Sequence, residues 1–151
     1  MSIGSDLYTT AQERIVEILT GDERLSRDLP GAVEVVPAPP YEIPGPDSLV
    51  FVYRSRIGTE FWQGEEGLDV DVVFALGLMT RAIGDPGELE RRMSRLAANV
   101  LAIVADHRAE AGYWIIRSVG PSTPFNVRRG EQHVAELEVL PVGLELNGVD
   151  L

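Results

Sequence analysis

The stretch 68–107 limits the fold more than any other part of the chain, because its hydrophobic period changes once and sharply. Residues 68–79 read LDVDVVFALGLM. Val70, Val72, Phe74, Leu76 and Leu78 fall on one face, with Asp69, Asp71, Val73, Ala75 and Gly77 on the other. A side-chain period of two is that of a half-buried strand. Both faces turn small or apolar after Asp71, which predicts that the second half lies in the middle of a sheet. Asp85 then stands where a helix cap belongs and Pro86 in the first turn, where its missing N–H would have no intrahelical partner. Over 86–107 the step becomes three to four. Leu89, Met93, Leu96, Val100, Ile103, Val104 and His107 form the inner stripe, and Glu90, Arg91, Arg92, Arg95 and Asp106 the outer one. The strand needs a sheet, and the helix needs to lie on it.

A first helix is expected at 5–20, with Leu7, Ala11, Ile15, Ile18 and Leu19 as its stripe. Residues 22–27 suit one further helical turn, and 32–36 a short edge strand. The passage 37–48 carries five prolines between Pro37 and Pro46, which removes amide hydrogens and predicts an extended loop. Strands are expected at 49–56, 113–119 and 133–142, the last with Ala135, Leu137 and Val139 inward and Glu136 and Glu138 outward. The connections 57–67 and 120–130 are long for hairpin turns. The first is either a strand ribbon or a projecting arm; the second is an extended connection with Arg128 and Arg129 at its tip. The weak pattern of 143–151 suits a mobile tail. The expected order is α-β-β-α-β-β: an α+β single domain over 1–151, with a mostly antiparallel sheet of four to five strands and two helices on one face.

At 151 residues, 44% hydrophobic and 25% charged, the chain is long enough for one well-filled core. No apolar run reaches the roughly 20 residues needed to span a bilayer, and the first residues lack the basic-then-apolar order of a signal peptide. Cysteine is absent, so disulfides and thiolate metal sites are excluded. The formal net charge is −11, against a duplex-DNA binder, which needs a basic face to displace counterions. All 13 basic residues are arginine, a choice that suits bidentate pairing with carboxylates at interfaces and also follows from a GC-rich coding bias.

Signs of catalysis are few. His107 and His133 have no second histidine at ligand spacing, and the chain lacks GxGxxG, GxxxxGK[ST] and GxSxG. Carboxylates offer the one constellation to weigh: Asp69 with Asp71, and Glu136 with Glu138, each pair on one strand face, with Glu65 and Glu66 upstream. Neighbouring pairs could hold Mg²⁺ or Ca²⁺. Outward carboxylates are also what a solvated sheet face carries, and the expectation is a non-enzyme without cofactor or metal.

The layout resembles that of the tail terminator (tail completion, minor tail) proteins of long-tailed bacteriophages. The features that carry the likeness are the N-terminal helix, the Pro-rich passage, YRSR at 53–56, the alternating strand LDVDVVF at 68–74, the long helix 86–107 and the closing strand HVAELEVLPV. The resemblance implies a virion protein at the head-proximal end of the tail, assembled in the host cytoplasm. Its subunits would form a ring, commonly a hexamer, that caps the tail tube, stops its growth and meets the head-completion or neck protein. Genome DNA would pass through the channel without specific binding, and no membrane is involved. A ring needs one patch to meet a different patch on the next copy. Arg54, Arg56, Arg128 and Arg129 are the candidate cations, and Glu60, Glu65, Glu66, Asp69 and Glu131 their candidate partners. Phe61 and Trp62 are the candidate apolar anchors. A head-closure, neck or minor capsid role, or a small carboxylate-metal enzyme or ligand-binding domain, remain as alternatives.

Overall fold

The computed structural model describes residues 5–37, 47–64 and 67–149, with backbone alone at 5–7, 55–64, 67–70 and 147–149. The strand-then-helix unit is present as β3 (Gly67–Arg81) and α2 (Pro86–Asp106). Asp85 caps the helix: its Oδ1 accepts the N–H groups of Gly87 at 3.0 Å and Glu88 at 3.2 Å, while Pro86 fills the first turn. The first helix, α1, spans Ser5–Gly21, and a single 3-10 turn follows at Glu23–Ser26.

Strand β3 is interior, as its two-faced apolar half demands. It pairs antiparallel with β2 (Ser48–Gly64) on one edge and with β7 (Gln132–Val149) on the other. The short β1 (Glu34–Val36) joins the outer edge of β2 in parallel. Along the far edge of β7, β5 (Trp114–Val119) and β6 (Thr123–Arg129) follow one another end to end. β4 (Ala109–Glu110) adds two residues beside β5. The order is β1-β2-β3-β7-β5-β4, with β6 also on β7.

The α+β class stands, and every strand pairing except the parallel β1–β2 is antiparallel, but the sheet has seven strands, not four or five. The added strands are β4 and β6, and two expected strands are longer than their pattern suggests. Residues 57–64 continue β2, and β3 begins at Gly67, so the two strands extend as a ribbon. The 120–130 passage holds β6, whose Pro124 is tolerated because β6 has one neighbour only, and an edge strand can spare an amide hydrogen. The 143–149 stretch is no tail but the second half of β7, where Gly143, Leu144 and Leu146 are buried. Pro141, inside the expected strand 133–142, lies at the junction of β5 and β6; there its carbonyl accepts the Gly120 N–H at 2.8 Å.

Both helices cover one face of the sheet. Val50, Val52, Val72, Phe74, Leu76, Leu140 and Val142 meet Ala11, Ile15 and Leu19 of α1 and Met93, Leu96, Val100 and Ile103 of α2. The opposite face has its own smaller cluster, in which Ala135 and Leu137 join Leu49, Phe51 and Met79. The inward and outward sets expected for 133–139 are therefore reversed relative to the helices. Glu136 and Glu138 share the helix-side parity of Leu140, because a sheet that is apolar on both faces gives alternation without saying which face the helices take.

Asn99 occupies a position in the buried stripe of α2 and is 6% exposed. Its Nδ2 donates to the carbonyls of Leu25 at 3.1 Å and Arg27 at 3.0 Å, tying the 3-10 turn to the helix. Asn99→Leu should cost about 1–3 kcal/mol, since two carbonyls lose their partner in a dry setting. Urea denaturation measures it; an unchanged midpoint would show that water reaches those carbonyls.

Candidate functional site

Register sets the candidate contact residues at two ends of the sheet. Leu68 stands opposite Val149 and Arg81 opposite Ala135, so the β2–β3 ribbon ends beside the last residues of β7. The β6–β7 turn at Gly130–Glu131 lies past the other end of β3. At about 3.3 Å per residue, the thirteen steps from Leu68 to Arg81 separate these ends by about 40 Å.

In the ribbon, Phe61 pairs with Val70 and Trp62 with Asp69, and Arg56 stands opposite Val73 past a bulge. The side chains of these three residues, and of Glu60 and Asp69, lie outside the described residues, as do Glu65 and Glu66 entirely. Arg54 is exposed, with its guanidinium 5.1 Å from the centre of the Tyr8 ring on α1. Arg128, Arg129 and Glu131 are exposed together at the β6–β7 turn, where Arg128 Nη1 donates to the Glu131 carbonyl at 3.4 Å. Gly130 takes φ +64° there, a left-handed conformation that favours glycine. The fold thus gathers Arg128, Arg129 and Glu131, sets Arg54 and Arg56 along β2, and carries Phe61 and Trp62 to the opposite end.

The carboxylate pairs are not neighbours. Asp71 faces Glu145 across the ladder, whereas Glu138 faces Leu78, seven residues and about 23 Å along β3. Among the described residues no group of three His, Cys, Asp or Glu side chains could hold a metal ion. Glu136 lies 3.0 Å from His133 Nε2, and Ser122 donates to Glu138. The apolar cleft between the helices is lined by Ile15, Leu19, Ile103, Trp114 and similar side chains, with His107 as its one titratable group. Such a lining packs; it does not orient or ionise a substrate. No helix among the described residues is long and apolar enough to cross a membrane.

Two ion networks hold the helices at the sheet's β4–β5 corner, and sequence reasoning missed both. Arg14 on α1 donates through Nε to Glu110 Oε1 at 3.1 Å and closes a second, shorter contact through Nη2. His107 Nδ1 lies 3.0 Å from the other oxygen of Glu110. Arg24 bridges Asp22 and Asp106, each at 2.7 Å. The Arg14 guanidinium, then His107, hold the Glu110 carboxyl below its ordinary value. Arg24 likewise lowers Asp22 from 3.8 to about 2. A carboxyl depressed in the fold contributes stability above its unfolded pKa and loses it as pH falls through the folded one. The urea midpoint should therefore hold steady from neutrality to about pH 5 and decline between about pH 4 and 2, with Glu110→Gln flattening part of the decline. An identical acid profile in that variant would assign the loss elsewhere.

No family model matches the chain, and no curated protein matches it. Among solved structures it is similar to a chain of the virion of a native gene transfer agent (GTA) particle. The two share 17% identity with a TM-score of 0.63, over 95% of this chain and 98% of the other. At that identity the likeness is one of fold.

Proposed function

We propose that this chain is a structural virion protein of the phage type: a tail terminator whose ring, a hexamer in the simplest case, caps the tail tube, stops its polymerisation and joins tail to head. The observation that carries the reading is the full-length fold likeness to a chain of a gene transfer agent virion. Its specific form rests on the sequence resemblance to tail terminators. Two unlike ends on one subunit, about 40 Å apart, suit the head-to-tail contact that a closed ring repeats. In such a ring Arg128 and Arg129 of one copy would meet acidic residues near the ribbon of the next, and Phe61 and Trp62 would anchor the contact. A net charge of −11 suits a channel that phosphates slide past.

The description of the neighbour gives its particle but not its position there, so a head-closure, neck or minor capsid role is the second reading. One experiment separates them. The purified protein is mixed with tail tubes, or with heads lacking tails, and followed by mass photometry and negative-stain microscopy. Rings on one tube end that halt elongation support the terminator; binding to heads alone supports the second reading. Binding to neither, with heat on Mg²⁺ titration, would return the carboxylate-metal alternative.

A further inference from the structure

We infer that copies of this chain join side by side, the open edge of β6 in one copy pairing antiparallel with the open edge of β1 in the next. The inference rests on the self-assembly proposed above and concerns the two sides of the sheet, whereas that contact uses its two ends. β1 and β6 border the sheet on opposite sides, and among the described residues each has a strand on one flank only. Register puts them level. Glu34, Leu49, Met79, Leu137 and Phe125 form one row across the sheet, and Val36, Phe51, Gly77, Val139 and Thr123 another. β1 runs in the direction of β2 and β7, and β6 runs against them. Two copies set side by side with their helices on one face therefore bring β6 against β1 in antiparallel sense, without a slide along the strands. The unpaired N–H and C=O groups of an edge are a template for such an addition.

Apolar surface and charge choose this pairing over others. The cluster on the face away from the helices reaches from Val36 on β1 to Val127 on β6, so both borders end in apolar side chains of that face. Phe125 stands on the same face opposite Leu137 and, at 49%, is the most exposed large hydrophobic residue among those described. In the level register it comes opposite Glu34 of the next copy and diagonal to Val36, within reach of an aromatic ring. The clusters of the two copies then meet, and Phe125 becomes their anchor. β6 carries Arg128 and Arg129 and no carboxylate, whereas β1 carries Glu34 and no cation. Pairing two β6 edges would set four arginines together, and pairing two β1 edges would set two glutamates together; both are penalised as like charges. The flank of β2 beyond β1 offers Arg54 and Arg56, again like charge for β6. The unlike borders match in both respects.

The absence of cysteine makes the test direct. Val36→Cys and Thr123→Cys face each other across the proposed joint and leave Glu34 and Phe125 in place. They are made as separate proteins of different tag length, mixed, oxidised mildly and run without reductant. Circular dichroism checks that each variant keeps its fold. The control mixes Val36→Cys with Val119→Cys. Val119 is on the same border but on the helix side, three rows or about 10 Å from Thr123, beyond the reach of a disulfide. The expected result is a mixed dimer at least about tenfold more abundant than in the control. Phe125→Asp in the Thr123→Cys protein should cut that yield at least about tenfold, by removing the anchor and adding a carboxylate opposite Glu34. Glu34→Arg in the Val36→Cys protein should lower it too, and Arg128→Glu with Arg129→Glu in the partner should restore it. Dimers of either variant with itself, no excess over the control, or a yield indifferent to Glu34→Arg would overturn the inference. Tail tubes capped by protein that gives no mixed dimer would leave the ring reading standing and remove only this contact. Mixed dimers from protein that ignores tail tubes would do the reverse.

Discussion

Gly77→Val should destabilise the chain by about 3 kcal/mol, more than any other substitution considered for the sheet face away from the helices. Phe51 stands directly opposite Gly77 in the β2–β3 ladder, and its ring lies across the space a side chain would occupy. A Cβ at position 77 would sit 2.0 Å from the ring's Cζ and 2.2 Å from Cε2. The ring cannot yield by a few tenths of an ångström. It must leave, and Phe51 is 4% exposed in a cluster with Leu49, Met79 and Ala135. Expelling a buried phenylalanine costs about 1.5–3 kcal/mol in exposure alone, before strain in the strand is counted. Urea denaturation of Gly77→Val, Phe51→Ala and the double variant would show strong coupling, because the valine has room once the ring is gone. Additive losses would mean that the ring and the glycine do not share the space.

Trp62→Ala should weaken assembly by about 30-fold or more per contact, the effect of losing an anchor worth about 2 kcal/mol. Its position in the ribbon carries the argument. Trp62 pairs with Asp69 close to the ribbon's end, far along β2 from the segment that β1 covers at Leu49–Phe51. There β3 also pairs with β7 as far as Leu68, so Trp62 stands on β2 at the border of a three-stranded end of the sheet. Ring-sized species in mass photometry should fall while the urea midpoint of the free subunit stays within about 0.5 kcal/mol of the original. A lowered midpoint with unchanged multimers would place the indole in the subunit's own core and end its role as an anchor.

Local pattern was legible where one residue type had one use. Asp85 and Pro86 announce a helix start, and the period of Val72, Phe74, Leu76 and Leu78 announces a strand, because these signals act over a few residues. Strand β6 and the second half of β7 were hidden behind Pro121, Pro124 and Gly143. Such residues mark turns in isolation, yet they serve here at an edge and at a junction, which only the partner strands reveal. The same limit applied to function. Arg128 and Arg129 read as a basic tip, and the fold places them at the β6–β7 turn beside Glu131, which reads in the sequence as an acidic partner on another copy. Asn99, Phe125 and the Arg14–Glu110–His107 network were missed. Asn99 carried a signal, a lone polar residue on an apolar stripe; the other contacts join residues up to 96 positions apart, which no window of sequence contains.

β7 follows every other element in the chain, yet it is the strand that β3, β5 and β6 all require. Its pairings with β3 join residues from 54 to 81 positions apart, which makes them costly to close and slow to form. While the chain is being made, β3 keeps an open flank, and Phe74 has no Val142 to rest against. The β5–β6 border comes into being only when this final strand slots into place. Timing then acts as quality control: a polypeptide that stops short of β7 cannot complete the sheet, and under the proposed ring a competent subunit is one already synthesised through Val149.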